Sequence, residues 1–482
     1  MTPKEEATSR LAEEILDRAG KETIKSGTRR PFWRKKRYWF LACACLAFYC
    51  CYLRPIEIDP TAIAELNLDP AFEDEMSPNF RKRFDDWQDR EFAPASENGF
   101  RLLLRALGPR VLNKKDWARH IPWESFPTDE KTGAWFREEW TPLCRKFELD
   151  PCARPTLIDS PDLVDVVGEE TVREISARRW TSEDFPNAAR WLDESAPLFA
   201  IFEEAIEKPK FGAWLLVGDG PEAWIKATAP DVAVHKEIAT LLAVRANYRL
   251  GRGDIDGALE DERRVFRLAR FLLIRGEPFL LCEIVGLRIV DLGIEKINIA
   301  GNPRFRPTSA QLEREKKIQE EALGDLDLDA SFQRALNGER EGYFASAVDF
   351  VASPEARLRF AELAFNEFDL ERDPRDASLS ERAMTKIARV SAFGLDANVF
   401  IRRLDDYWRR PELLDEFPKG NLEVLIGANS PRRKTRSEFF AGFYALSFLP
   451  AFESARRQLE RTKDLVRESL EKEKFEPLME NQ

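Results

Sequence analysis

The sequence has little of what most catalytic and metal sites need. Its 482 residues include only two histidines, His120 and His235, which lie far apart in the chain. Histidine is the commonest metal ligand and the usual general base near neutral pH. The sequence also lacks a phosphate-binding glycine loop, a nucleophile elbow and an HExxH helix. We therefore expect no cofactor and no bound metal, and we regard catalysis as the less favoured function.

One acidic stretch, GRGDIDGALEDER at 251–263, invites comparison with a calcium-binding loop. When Gly257 is aligned with the invariant glycine of an EF-hand, Arg252 and Arg263 fall where the loop needs its first and last carboxylates. Cations at both ligand positions exclude calcium binding in this stretch.

Charge is divided unevenly along the chain, whose formal net charge is −11. Residues 1–37 contain eleven Lys or Arg and six Asp or Glu, which gives +5 and leaves −16 on residues 54–482. A nucleic-acid-binding protein presents a basic surface, so the acidic body argues against a nucleic acid partner. The basic N-terminal segment suits anionic lipid headgroups instead.

A run of sixteen residues without charge, from Tyr38 to Leu53, directly follows the basic cluster. As a helix it would span about 24 Å at 1.5 Å per residue, against a hydrocarbon core of roughly 30 Å. The flanking Arg37 and Arg54 can extend toward the headgroups and make a short span workable. The sequence therefore predicts a transmembrane helix at 38–53.

The flanking charges set the expected orientation of this helix. Residues 21–37 contain eight basic residues and one acidic residue, whereas 54–75 contain one basic residue and seven acidic ones. Because basic flanks stay inside, we predict a cytoplasmic tail at 1–37, an acidic linker at 54–78 and an extracytoplasmic body. The expected location is a bacterial inner (cytoplasmic) membrane.

Three other interpretations of the N-terminal segment stay open. A cleaved export signal would use a small-residue site such as Ala62-Ile63-Ala64, which lies unusually far beyond the apolar run. A lipoprotein signal would end at Cys43, and the stretch from Thr28 to Trp33 resembles a twin-arginine export motif.

Small residues also line up on one face of the predicted transmembrane helix. Cys43, Ala47 and Cys51 are spaced at four-residue intervals. Such a seam lets two helices approach closely, so it is a candidate homodimer contact. An apolar run rich in Ala and Cys also produces this spacing by chance.

After residue 78 the pattern predicts an all-α body, with a helical, aromatic-rich region at 79–230 and a helical-hairpin domain at 231–482. Ser96 is the expected N-cap of a helix that ends at Gly108. A short β-like piece is expected at 210–220. The clearest predicted helices are 231–251, 254–275, 277–299, 308–323, 328–351, 353–368, 378–409 and 451–474.

The turn YRLGRGDIDGALEDE resembles the hinge of a tetratricopeptide repeat. Ala246, Gly253-Asp254 and Ala258 occupy the small-residue and turn positions of that family. The next position of the pattern is aromatic in that family, but it is Glu262 in this sequence. No closing proline lies near Arg270, and no second copy of the motif follows 34 residues later. The resemblance covers one repeat and implies helix-hairpin packing with a groove that binds proteins. The overall layout resembles uncharacterised bacterial proteins with one N-terminal anchor and a helical extracytoplasmic body.

The preferred function is thus a membrane-anchored scaffold that contacts an unidentified protein partner. The alternative is a cell-wall glycan-binding protein or a glycoside hydrolase, because residues 112–140 are rich in aromatic and acidic side chains. Stacking on sugars would use tryptophans of this stretch, and hydrolysis would use its carboxylates. The residues concerned are Trp117, His120, Trp123, Trp135, Trp140, Glu124, Glu138 and Glu139.

Cys144 and Cys152 are the only closely spaced cysteines of the body. In an oxidising compartment such a pair can form a disulfide. Closing so short a loop would contribute about 2–3 kcal/mol. The alternative is a pair of free thiols, with Cys144 on a helix.

Overall fold

The computed structural model describes residues 80–112, 137, 140–214, 230–276, 279–297, 299, 307–352, 402–403, 406 and 449–471. All of them lie within Ile56–Gln482, which clusters as a single unit. Over these residues the regular structure is helical, and the sole β feature is an isolated bridge between Asn98 and Lys210. The all-α prediction is confirmed for this part of the chain.

The membrane-related predictions fall elsewhere in the chain. The tail, the predicted transmembrane helix at 38–53 with its dimer seam, and the linker lie outside the described residues, as do 353–368 and most of 378–409. Over the residues that are described, none of the helices combines the length and apolarity needed to cross a membrane.

The helices are numbered here in chain order. They are α1 (Phe80–Phe92), α2 (Phe100–Leu107), α3 (Thr141–Lys146), α4 (Leu163–Val167), α5 (Glu169–Ala177), α6 (Pro186–Glu194), α7 (Ala196–Glu207), α8 (Pro230–Arg252), α9 (Ile255–Arg270), α10 (Leu280–Lys296), α11 (Ser309–Leu323), α12 (Leu328–Ala352) and α13 (Leu449–Glu471). Short 3-10 turns cover Ala95–Glu97 and Gly108–Leu112, and a π-helical turn at Phe271–Arg275 extends α9.

Helices α8 and α9 form the central hairpin. The chain reverses at Gly253, whose φ of 83° is a conformation that glycine adopts without a steric penalty. The side chain of Asp254 then accepts a hydrogen bond from the Gly257 amide and caps α9. Ala246 and Ala258 are fully buried where the two helices meet. Small residues at these positions let the helix backbones approach closely.

The other helices pack around this hairpin. Helix α9 also contacts α10 and α11, α5 lies against α8, and the C-terminal helix α13 lies against α10. One apolar core runs through the assembly and contains the fully buried rings of Trp180, Phe199 and Phe266. The end of α8 meets this core so closely that a Cβ on Gly251 would come within 1.9 Å of the Trp180 carbonyl oxygen.

Two local expectations differ from the structure. Ser96 does not cap α2, because it lies in the 3-10 turn and the Oδ1 of Asn98 accepts the Phe100 amide hydrogen bond at 3.0 Å. The amide nitrogen of buried Asn98 donates to the carbonyl oxygens of Phe92 and Gly212. The described part of the expected β-like piece, 210–214, contributes just the isolated bridge at Lys210. A tertiary hydrogen-bond network has thus overridden the local capping signal.

Candidate functional site

A cavity of about 370 Å³ lies among the shorter N-terminal helices and the first half of α8. Ligand pockets in proteins commonly start near this size. Its wall is formed mainly by aliphatic and aromatic side chains. These are Leu107, Val111, Leu163, Val164, Val172, Trp191, Leu198, Phe202, Ala233, Val234, Ile238 and Leu241.

The buried polar side chains in the wall of the cavity already have partners within the protein. Arg110 is 8% exposed, and its Nη1 donates to the carbonyl oxygens of Leu157, Ile158 and Ser160 at 3.1, 3.3 and 2.7 Å. Its Nη2 forms an ion pair with Asp162. A guanidinium engaged in this way organises the loop before α4. It has little capacity left to bind a charged ligand deep in the cavity.

The polar residues that complete the lining come from one face of α8. Lys236 and Glu237 are exposed, and Thr240 is partly buried with its hydroxyl bonded to the Lys236 carbonyl oxygen at 2.8 Å. Val164 of α4 also lines the cavity and is 39% exposed. The cavity therefore opens to solvent beside an exposed lysine, an exposed glutamate and an apolar lip.

The cavity holds two carboxylates and a tryptophan but does not present them as a glycosidase does. Asp162 is paired with Arg110. The Trp191 ring is 2% exposed, and its Nε1 donates to the Pro161 carbonyl oxygen at 2.8 Å. A ring this deeply buried has little free surface on which a sugar could stack. The lining favours binding of an apolar group.

A second polar cluster joins α7, α8 and α9 inside the core. The fully buried carboxylate of Asp261 accepts hydrogen bonds from Arg245 and Arg249. Arg245 also bonds Glu203 at 2.8 Å and lies 4.2 Å from the Phe199 ring centre. Because these buried charges are paired and hydrogen bonded, their role is to fix the register of the hairpin.

Three other carboxyl groups form none of these ion pairs: those of the buried Glu262 and Glu283 and of the partly buried Glu315. Burial raises the pKa of Glu283 to about 7, despite a 2.6 Å hydrogen bond from Ser331 and the proximity of Arg334. Burial also raises the pKa of Glu315 to about 7. For Glu262, which has zero exposure, burial and then the neighbouring Glu315 raise the pKa well above its usual value.

Glu262 stands where the tetratricopeptide pattern expects an aromatic residue, and that position is buried here as well. Its Oε1 accepts a hydrogen bond from Gln319 at 3.1 Å. Glu262 is fully buried although it belongs to the charged run 260–264. The buried position of Glu283 could have been found from the sequence, because this residue interrupts the apolar run of α10.

Few of the residues proposed from sequence fall in the described region. Trp140 does, and it is a core residue with its Nε1 bonded to the Pro151 carbonyl oxygen at 2.9 Å. Every tryptophan in the described residues is at most 8% exposed. The remaining aromatic and acidic candidates lie outside them: Trp117, His120, Trp123, Glu124, Trp135, Glu138 and Glu139.

The two cysteines proposed as a pair differ in environment. Cys144 is buried on α3 and Cys152 is exposed, and both are free thiols in the structure. Burial, with smaller contributions from Asp150 and Cys152, raises the pKa of Cys144 to about 12. The buried thiol is therefore held protonated and unreactive. A disulfide formed under oxidising conditions stays a prediction.

Within the part of the chain that the structure describes, no group of three potential ligands is placed to hold a metal ion. Over the residues that the structure describes, the regular structure is all-helical, and an apolar cavity lies beside the central hairpin. No protein-family model, curated protein or solved structure matches the chain.

Proposed function

We propose that this chain is a single-pass protein of the bacterial inner membrane whose helical body contacts a protein partner outside the cytoplasm. Support for the anchor comes from the uncharged run 38–53 and from the change of charge across it. Support for the binding role comes from the helical hairpins and their exposed apolar residues.

The observation that carries the binding role is a pair of exposed apolar side chains. Ile274 and Leu281 are 44% and 56% exposed. They lie on the two sides of residues 277–278, Ile274 in the π-helical end of α9 and Leu281 at the start of α10. Together with Val164, they are the exposed large hydrophobic residues of the described region. Exposed apolar side chains of this size are candidates for a protein contact.

The first test concerns topology. We expect a reporter enzyme that is active only outside the cytoplasm to be active when fused after Gln482. Reversing the basic residues Arg34 to Arg37 to glutamate should reduce that activity, because the charge difference sets the orientation. A silent external reporter with an active cytoplasmic one contradicts the proposal.

The second test concerns the partner. A photo-crosslinking amino acid at Leu281 should give one discrete adduct in intact cells, whereas the same group at Lys317, whose side chain is 72% exposed on α11, should not. Equal adducts from both positions contradict a specific contact. Retention of the full chain on purified peptidoglycan, lost on adding soluble glycan, favours the glycan-binding alternative.

A further inference from the structure

We propose that the cavity beside α8 binds the hydrocarbon chain of an anionic single-chain amphiphile, such as a fatty acid, with its headgroup at Lys236. The inference does not depend on the proposed protein partner. It follows from the size, the wall and the opening of the cavity.

The size fits a chain of moderate length. An apolar cavity of about 150 Å³ is large enough to bind benzene. By proportion, 370 Å³ accommodates on the order of 15 carbon-sized atoms. The lining runs along α8 from Ala233 to Leu241, which is about 12 Å of helix. A single alkyl chain of about 12 carbons therefore fits this volume.

The wall of the cavity favours an uncharged, apolar group in the part of the ligand that it encloses. Leu163, Leu198 and Ile238 are each at most 6% exposed, so these side chains are already removed from bulk water. The buried cation Arg110 is occupied by three carbonyl groups and Asp162. A polar group placed here would lose its hydration without gaining a partner, which is costly. An alkyl chain carries no such cost.

The side chains at the opening of the cavity favour a negatively charged headgroup. Lys236 is exposed and forms no ion pair with any described residue, whereas Glu237 already takes part in another interaction. The hydroxyl of Thr240, one turn further along α8, is partly buried at the same opening. A carboxylate at this point would gain a charge-assisted hydrogen bond from Lys236.

The test uses the full chain in lipid nanodiscs and a dodecanoate carrying a photoreactive diazirine near its methyl end. Mass spectrometry should place the adducts on residues 162–172 and 233–241. Val164→Trp fills the apolar lip and should reduce labelling at least tenfold. The control Lys317→Trp also introduces a tryptophan at an exposed helix position but lies outside the cavity lining, and it should label like the unchanged chain.

The headgroup is tested by competition. Laurate should displace the probe at least tenfold more effectively than dodecyltrimethylammonium, and Lys236→Gln should abolish that preference while leaving competition by dodecanol unchanged. Equal competition by the cationic amphiphile overturns the proposal, as does labelling that Val164→Trp leaves intact. If Val164→Trp fails to fold, as judged by circular dichroism, Thr240→Phe at the same opening decides the outcome by the same criterion.

Discussion

At the scale of single residues, the strongest features are carboxyl groups held away from water. Glu283 is 1% exposed on α10, with its Oε2 accepting a hydrogen bond from Ser331. Its pKa rises from the ordinary value of 4.5 to about 7, chiefly because burial disfavours the charged form. Folded chains therefore keep this proton over a range in which unfolded chains release it.

This proton makes stability depend on pH in a definite direction. Between about pH 4.5 and pH 7 the folded state binds more protons than the unfolded state, so the free energy of unfolding falls as the pH rises. Glu283→Gln cannot ionise and should lack this part of the fall. At pH 8 we expect the variant to be more stable than the unchanged chain by up to about 3 kcal/mol.

Urea unfolding at pH 4 and pH 8 checks this expectation, with the difference between variant and unchanged chain as the readout. The ionisation of Glu262 and Glu315 affects the free energy of unfolding of both proteins equally, so its contribution cancels in that difference. The control Glu313→Gln, on the exposed face of α11, should change the free energy of unfolding by less than about 0.5 kcal/mol. A Glu283→Gln variant that is equally destabilised at both pH values would show that the carboxyl group is not protonated in the fold.

At the scale of elements, the turn between α8 and α9 determines where the central hairpin begins its second helix. The Oδ1 of Asp254 accepts the Gly257 amide hydrogen bond at 3.0 Å. Asp254→Ala leaves that amide without its cap and should cost about 1 kcal/mol. Asp254→Asn keeps an acceptor in place and should cost only a few tenths. Thermal unfolding of both variants tests this, and equal losses would mean that charge rather than capping matters at this position.

Elements of this kind could be predicted from the sequence because their signals are local. The predicted helices 308–323 and 328–351 agree closely with Ser309–Leu323 and Leu328–Ala352. The Asp254 cap and the Gly108 stop depend on residues within a few positions. The predicted Ser96 cap is wrong because Asn98, which donates a hydrogen bond to a carbonyl group 114 residues away, is held at this position instead. No periodicity of the local sequence contains that information.

The cavity could not be predicted for the same physical reason. Its wall brings together residues from α2, α4, α5, α6, α7 and α8, each of which contributes a few ordinary apolar positions. Each position taken alone predicts core packing. Only the tertiary arrangement leaves space between them, so the sequence predicted the helices around the site but not the site.

At the scale of the whole molecule, the C-terminal helix α13 closes the core from a distant part of the chain. Asp291 of α10 is 5% exposed and accepts hydrogen bonds from Gln458 and Thr462 at 2.6 and 2.7 Å. Both donors are nearly or fully buried on α13, next to the core residue Leu459. A polar contact at such a distance in sequence specifies one docking position, because sliding the helix would separate the Asp291 carboxylate from both of its donors.

Asp291→Ala should therefore loosen α13 selectively. The buried donors of Gln458 and Thr462 lose their acceptor, which costs about 2–4 kcal/mol together, and amide hydrogen exchange should accelerate in 455–467 more than in α8 and α9. Glu295→Ala is the matched control one turn away, because it removes only the 28% exposed partner of Arg461 and should cost less than about 1 kcal/mol. Similar losses in both variants, or uniform acceleration across the described helices, would mean that α13 docks through its apolar residues alone.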